Sequence, residues 1–406
     1  MTQPLWQLLQ VSDVLDVEFA NALAESVPVL TWEPQRSLLP ALTRPGHEHE
    51  RTDGALRVRK FPLLRGFARP PMSWFARTGP SIVKRLLRQT TDPEHSPLII
   101  TVPYFAAVAE LWPGPVIYWL TDLIAEYSSA NRAEVERLDR RLAYTSTLVC
   151  PNSRRLQEYL VQHADCDPAK ITVVPNATRR MNILPEPPTG PMERPAALRE
   201  IAALEGRPIA GIIGNLAGNM DWLMLERTIV LTPWLSWVFV GPTTMAIPDA
   251  AQRHARQAVL ELPNTHFRGK QPYGDLASFA RAFEVAILPY RRCEPTYSGS
   301  STRFYEHLAA CRPMIATRGL EELTQKPPLL KLIDSPEQAA ESLNHLRQQN
   351  FDDGLLELRW QASHEATWQV RAQAVQTALV PRLRRSIHRN SDIRVSNALN
   401  QVVTHR

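Results

Sequence analysis

Short apolar runs recur along the chain, and each is followed by a stretch with helical periodicity. Leu98–Val102, Val116–Leu120, Pro208–Gly214, Trp237–Gly241, Val285–Pro289 and Met314–Thr317 have strand length and end in turn residues. Uninterrupted apolar runs of this kind, spaced by helices, specify βαβ units and a parallel sheet covered on both faces. Further strands are expected at Leu5–Val11, Val27–Thr31, Leu56–Phe61, Thr147–Cys150, Ile171–Val174 and Thr265–Arg268. The rest of 34–60 reads as a Pro- and charge-rich loop. Helices are expected at Val17–Glu25, Met72–Arg88, Tyr104–Trp112, Asn131–Tyr144, Ser153–Gln162, Trp222–Leu231, Asp249–Leu262, Gly274–Phe283 and Thr302–Ala310. Ser335-Pro336-Glu337-Gln338 starts another, with Ser as cap, Pro at the first position and Gln closing a capping box.

At 406 residues the chain is long for one α/β domain. Pro185, Pro187, Pro188, Pro191 and Pro195 break the pattern midway. The division expected is a first Rossmann-like domain over 1–180, a linker over 181–204 and a second Rossmann-like domain over 205–350. Closing helices over 351–385 and a basic tail over 386–406 complete it. Trp222, Trp234 and Trp237 follow core spacing.

Composition narrows the class. With 44% hydrophobic and 21% charged residues the chain is neither disordered nor coiled coil. Its four Cys form no CxxC pair, which speaks against a disulfide framework or a cysteine zinc site and for a reducing, cytoplasmic setting. The start shows no signal-peptide pattern. The apolar stretch Pro97–Leu120 is cut by Pro103 and Pro113-Gly114-Pro115, so it reads as strand, helix and strand rather than a membrane span. His47-Glu48-His49-Glu50 lies in a polar loop and is not expected to bind metal. No P-loop, no first-strand GxGxxG and no Ser-His-Asp order is present, so no cofactor is expected.

The net charge is +5 and unevenly spread: residues 51–90 hold ten Lys/Arg against Asp53 alone. Phe61–Phe75 interleaves apolar residues with Arg, and Ile82–Arg88 continues that pattern. It suggests contact with an anionic membrane face, set against the simpler reading that the apolar residues pack into the first domain's core. Nucleic acid is not an expected partner.

In open parallel sheets, ligands bind beyond the carboxyl ends of the strands. In the second domain these ends are Gly214-Asn215, Gly241-Pro242, Gly269-Lys270, Pro289-Tyr290 and Thr317-Arg318. Gly opens three of the five in a chain poor in Gly, which favours close approach of a ligand to backbone. Ser298–Thr302 then leads into a helix whose start Ser301 caps, a phosphate-type site. Arg303 is a candidate for a diphosphate and Glu306, one turn on, for ribose hydroxyls. In the first domain Asp122 stands just past the strand Val116–Leu120 and Asp13 follows the first strand.

These residues resemble the nucleotide-sugar site of GT-B glycosyltransferases of the group 1 type. The matching segments are Val285–Tyr290, Ser298–Thr302 and Arg303-Phe-Tyr-Glu306-His-Leu-Ala-Ala-Cys-Arg-Pro313, with Gly211–Asn215, Phe239–Pro242, Phe267–Tyr273 and Val173–Asn176. The resemblance covers roughly residues 98–378. Ser298 stands where retaining members carry a first Glu, and Cys311 where Gly is usual. Asp122 is similar to the aspartate taken as base in the inverting glucuronosyltransferase of xanthan assembly.

The resemblance implies two Rossmann-like domains facing a cleft, a C-terminal helix crossing back to the first, and no bound metal. It implies a nucleotide-sugar donor, UDP-linked, held by Gly214, Asn215, Gly241, Lys270, Tyr290, Ser301, Thr302, Arg303 and Glu306. Asp122 would be the base, and a sugar or lipid-linked hydroxyl the acceptor, as in cell-surface polysaccharide assembly at the inner membrane face. The rival readings are a nucleotide-sugar epimerase of the same fold and a non-catalytic sugar-binding scaffold.

Overall fold

The computed structural model describes residues 3–9, 13–37, 51–53, 56–64, 73–127, 131–188 and 193–383. The expectations for His47–Glu50 and for 386–406 lie outside these residues. The chain divides into two compact units, Met1–Val174 with Gln369–Arg406, and Pro175–Trp368. The division thus falls ahead of the Pro-rich stretch read as the linker.

The first unit runs β1 (Trp6–Leu9), α1 (Val14–Ala24), β2 (Val29–Ser37), β3 (Arg51–Asp53), β4 (Leu56–Leu64), α2 (Ser73–Leu87), β5 (Leu98–Ile100), α3 (Ala106–Leu111), β6 (Val116–Leu120), α4 (Arg132–Thr145), β7 (Leu148–Pro151) and α5 (Arg154–His163). The sheet order is β3-β4-β2-β1-β5-β6-β7, and every pairing is parallel except β3 with β4. Without β3 this is the doubly wound order 3-2-1-4-5-6.

The second unit runs α6 (Ala196–Arg199), β8 (Ile209–Ile213), α7 (Trp222–Leu231), β9 (Ser236–Val240), α8 (Ala250–Glu261), β10 (Thr265–Phe267), α9 (Leu276–Ala282), β11 (Val285–Leu288), α10 (Thr302–Ala309), β12 (Met314–Thr317), β13 (Lys331–Ile333), α11 (Pro336–Gln348) and α12 (Leu356–Glu365). Its sheet is fully parallel, β10-β9-β8-β11-β12-β13, the same winding again. The last helix, α13, covers 368–383. From Gln369 on it belongs to the first unit, where Gln369 Nε2 donates to Glu25 Oε1 at 2.6 Å and Arg382 Nη2 to Ala169 O at 2.8 Å. The C-terminal helix therefore does cross back.

Local chemistry explains where helices begin. Asp13, Asn131, Ser153, Asp221, Asp249, Ser301 and Ser335 each cap a helix by accepting from a backbone N–H of its first turn. Losing such a cap costs about 1 kcal/mol. The central strands β1, β5, β6, β8, β9 and β11 are buried throughout, as a sheet covered on both faces requires.

Four expectations change. The segment read as loop after Thr31 extends β2 to Ser37, paired to β4 from Leu30 to Ser37. The register with β1 stops at Trp32, so Pro34 interrupts no ladder on that side. Ile171–Val174 forms only a bridge at Ile171 to Val149 instead of a strand. The closing helices expected over 351–385 resolve into two with a break between them: α12 ends at Glu365, Thr367 bridges to Thr178, and α13 starts at Trp368. Finally, Phe61, Ile82, Val83 and Leu86 lie in the first unit's core, so these apolar side chains are not offered to a membrane. Arg65 and Arg69 lie outside the described residues. No helix among the described residues is long and apolar enough to span a bilayer, and Pro97–Leu120 divides into β5, α3 and β6. Trp222 and Trp237 are fully buried, whereas Trp234 is partly exposed beside Phe351 and under Arg347.

One buried acid sits in the first core. Asp139 of α4 accepts 2.6 Å hydrogen bonds from Tyr118 of β6 and Tyr159 of α5. Burial pushes its carboxyl up to about 6, against the two tyrosine hydrogen bonds that pull it down. Between its unfolded and folded pKa values the native state holds more protons, so this group's contribution to stability falls as pH rises from about 4 to 6, by roughly 3 kcal/mol in all. Asp139→Asn removes that slope. Thermal melts should show the variant gaining on the parent from pH 4 to pH 7; a constant difference across that range would contradict this account.

Candidate functional site

The winding of the second unit makes β8 and β11 neighbours from which the chain departs in opposite directions. A crevice opens at the carboxyl ends of two such strands. Gly214 follows β8 and Tyr290 stands just past β11. Gly241, after β9, has φ +155°, and a Cβ there would lie 1.8 Å from Gly214 O. Gly214 has φ +104°, and its Cβ would meet Arg303 Nε at 3.0 Å. Gly241 is thus fixed by close approach of backbone, and Gly214 by its positive φ beside the Arg303 side chain.

The start of α10 enters the same place. Ser301 caps it through Oγ to Phe304 N at 3.1 Å, and the Tyr290 hydroxyl sits 2.8 Å from that Oγ. Arg303, buried, donates from Nε to Ile213 O at 2.5 Å and from Nη2 to Asn215 O. Its guanidinium lies 5.0 Å from the Tyr290 ring centroid. Two of the guanidinium nitrogens hold backbone carbonyls, so Arg303 shapes the β8 turn and supplies positive charge beneath it.

Gly214, Asn215, Gly241, Tyr290, Ser301 and Arg303 are therefore brought together, and Thr302 joins them at the first position of α10. Glu306, one turn along α10, is oriented by two neighbours: Oε1 accepts from the Tyr273 hydroxyl at 2.7 Å and Oε2 from Asn182 Nδ2 at 3.0 Å. Lys270 is exposed in the turn after the edge strand β10, two strands from β8. His307, fully buried on α10, has no hydrogen-bond partner for either ring nitrogen among the described residues. Burial, helped by the charge of Arg303, drives its pKa down to about 3, so it stays neutral and takes no part in proton transfer near pH 7.

Sequence reasoning missed the groups that hold the Ser-rich turn. Asn176 Nδ2 donates to Ser300 O at 2.9 Å and Thr302 Oγ1 at 3.2 Å, and its backbone N–H donates to Ser300 Oγ at 3.0 Å. Glu322 accepts from Ser300 Oγ at 2.9 Å, Ser301 N at 2.8 Å and the Tyr305 hydroxyl at 2.5 Å. Asn176 and Tyr273 each end a segment of the family resemblance. Glu322, in Glu321-Glu322, reads in sequence as a solvated acidic pair.

In the first unit, Asp122 follows β6 and remains solvent-accessible. Desolvation by surrounding protein raises its carboxyl pKa, the charge of Asp13 raises it further, and a hydrogen bond with the Tyr127 hydroxyl opposes both. Tyr127 is itself shifted upward, first by burial and then by Asp122. Asp13 caps α1 through Oδ1, accepting from Leu15 N at 2.8 Å and Asp16 N at 3.1 Å. The next short helical turn is not capped by a side chain, so the Asp122 carboxylate is not used as a cap. Among the described residues no group of three or more His, Cys, Asp or Glu is placed to hold a metal ion.

Arg303→Ala leaves the carbonyls of Ile213 and Asn215 without their partner and should destabilise the second unit by about 1–3 kcal/mol. Arg303→Lys restores the charge but offers one ammonium for two carbonyls, so it should recover only part of that loss. Denaturant melts of the two variants check this; equal stability of Ala and parent would refute it.

No protein-family profile matches the chain. A segment of 171 residues is 23% identical to a protein described as a teichuronic acid biosynthesis glycosyltransferase, TuaH, of Bacillus subtilis; it spans 41% of this chain and 42% of that protein. Among solved structures, the UDP-forming α,α-trehalose-phosphate synthase of Burkholderia xenovorans, in complex with glucose-6-phosphate, is similar at TM-score 0.69 and 14% identity, covering 93% of this chain and 99% of that one. HepE of Anabaena, in complex with UDP-glucose, is similar at TM-score 0.64 and 13% identity, covering 93% and 100%. A glycosyltransferase of Rickettsia africae is similar at TM-score 0.67 and 11% identity, covering 94% and 99%. With two doubly wound sheets and a crevice at the switch point of the second, the chain has the fold of the GT-B glycosyltransferases.

Proposed function

We propose that this protein is a glycosyltransferase that moves a sugar from a UDP-linked donor to a hydroxyl of a glycan or glycolipid acceptor in cell-surface polysaccharide assembly. The observation that carries the reading is the meeting of Gly214, Gly241, Tyr290, Ser301 and Arg303 at the carboxyl ends of β8, β9 and β11. Backbone N–H groups at the start of α10 face negative charge there, with the Arg303 cation behind them. HepE solved with UDP and UDP-glucose supports the donor class, and the synthase solved with glucose-6-phosphate supports a sugar acceptor. The matched segment of TuaH supports a polysaccharide setting.

In this reading the departing diphosphate gathers charge in the transition state, and the α10 N-terminus stabilises it. Glu306, held by Tyr273 and Asn182, presents its carboxylate to the ribose, and Lys270 approaches the diphosphate from the β10 turn. Asp122 takes the proton from the acceptor oxygen as that oxygen attacks the anomeric carbon, which inverts the configuration.

UDP release measured over a panel of UDP-sugars, with and without acceptor, tests the activity. Asp122→Asn should lower transfer at least about 10²-fold while leaving UDP affinity unchanged; near-parental turnover would remove Asp122 from the mechanism. A base works deprotonated, so the rate rises with pH through its pKa. Asp13→Asn keeps a capping side chain for α1 but removes the charge that holds Asp122 up, so the acid limb of kcat/KM should move to lower pH. Tyr127→Phe should move it to higher pH. Coincident limbs in all three proteins would refute the pairing.

We place this activity in the cytoplasm, with the basic 51–90 segment drawn to an anionic membrane face by charge. Sedimentation with anionic liposomes should fall when Arg65, Arg69 and Arg77 are changed to Glu, and with added salt. Equal recovery with neutral liposomes would favour a soluble acceptor.

A further inference from the structure

Glu322 poses an electrostatic problem at the start of α10. It is buried, and it places a carboxylate on Ser301 N at the very end of the helix that the donor reading assigns to phosphate. A helix N-terminus favours one negative group; a second close by is opposed by the first. One cation answers it. Lys326 Nζ lies 3.2 Å from Glu322 Oε1 and 3.3 Å from the Tyr305 hydroxyl, and it sits 5.2 Å and 5.4 Å from the ring centroids of Phe304 and Tyr305. Both rings belong to α10, so the ammonium is anchored to the helix it neutralises.

A second observation points to a ligand at this place. Asn176, 3% exposed, gives its amide nitrogen to Ser300 O and Thr302 Oγ1, yet its Oδ1 is buried with no partner among the described residues. Buried amide oxygens are seldom left unpaired; as an acceptor this one calls for a hydroxyl or N–H of a ligand, such as a sugar hydroxyl, and not for the diphosphate itself.

We propose that Glu322 and Lys326 form a positioning pair for the donor site: Glu322 fixes the Ser300-Ser301 turn, and Lys326 cancels its charge so that the α10 N-terminus still accepts a diphosphate. Neither residue touches the donor. This rests on the donor reading above and extends it to residues outside the cleft-lining motif. The pair is local to one unit and involves no residue that holds Arg303 or caps α10.

The pair makes a specific pattern of losses. Lys326→Met keeps the apolar stem over Phe304 and Tyr305 but exposes an incoming diphosphate to the bare Glu322 carboxylate. Calorimetric titration should show UDP binding weakened about tenfold and uridine binding weakened less than about twofold. Glu322→Gln in the Lys326→Met background removes the repelling charge and should return UDP affinity to within about threefold of the parent. A loss shared equally by UDP and uridine, or no rescue in the double variant, overturns the proposal, because a merely structural role predicts that the second substitution adds to the first. Thermal melts of the parent, Lys326→Met, Glu322→Gln and the double variant supply a readout without ligand: the two substitutions should be non-additive, and additivity would likewise overturn the pairing. If the parent binds UDP but Lys326→Met binds it equally well, the pair is wrong and the donor site stands. If the parent binds neither UDP nor any other nucleoside diphosphate, the donor reading fails and this proposal falls with it.

Discussion

The hydrogen bonds from Arg303 to Ile213 O and Asn215 O fasten α10 to the end of β8. The rest of the crevice is arranged around that link. The guanidinium lies against Tyr290, whose hydroxyl meets the Ser301 cap, and it leaves no room for a side chain at Gly214. Gly214 O in turn leaves no room for one at Gly241. A single buried cation thus joins the ends of β8, β9 and β11 to one helix N-terminus. Two charge-assisted bonds to carbonyls stabilise it there in place of a carboxylate partner. Among the described residues no carboxylate is paired with it, so its positive charge stays at the place where the reading puts phosphate.

This explains a division of labour that residue type alone conceals. An Arg ahead of a Glu on one helix suggests either an ion pair or two ligand contacts. Here the Arg serves the backbone of β8, and the Glu is oriented by Tyr273 and Asn182. A carboxylate at the helix start comes from Glu322, beyond β12, and Lys326 pairs with it. Turn, helix and counter-charge are thus joined by contacts between the segment before α10 and the Glu322–Lys326 pair after β12.

The sequence made the fold legible because parallel strands buried on both faces are uninterrupted apolar runs. β6, β8, β9, β11 and β12 fall within a residue or so of where those runs lie. It failed where burial is one-sided or the run is short. The outer half of β2 carries Glu33 and Pro34, residues that read as loop, and pairs only to β4 beyond Trp32. β13, Lys331–Ile333, is too short and too exposed to register as a period. The site was legible where ligand chemistry and fold coincide, at glycines after strands and a Ser before a helix. Asn176, Asn182 and Glu322 act through hydrogen bonds to backbone and side chains distant in sequence. Such contacts carry no spacing signal.

Two acids of the first unit show how the same pKa direction arises in an enclosed carboxylate and in one open to solvent. Asp139 and Asp122 both have raised pKa values, and burial is the first cause in each. Asp139 is enclosed, and each of its oxygens has its own tyrosine, so no group from solution can reach it. Its titration is felt only as stability. Asp122 is reachable by solvent, has one tyrosine, and stands near a second carboxylate that makes its proton harder to remove. A base of this kind is stronger than an ordinary aspartate and still largely ionised when its pKa lies below the working pH. Perturbation of pKa alone does not mark a catalytic group. The proposed role of a base asks for perturbation together with an open face, and of these two acids Asp122 has both.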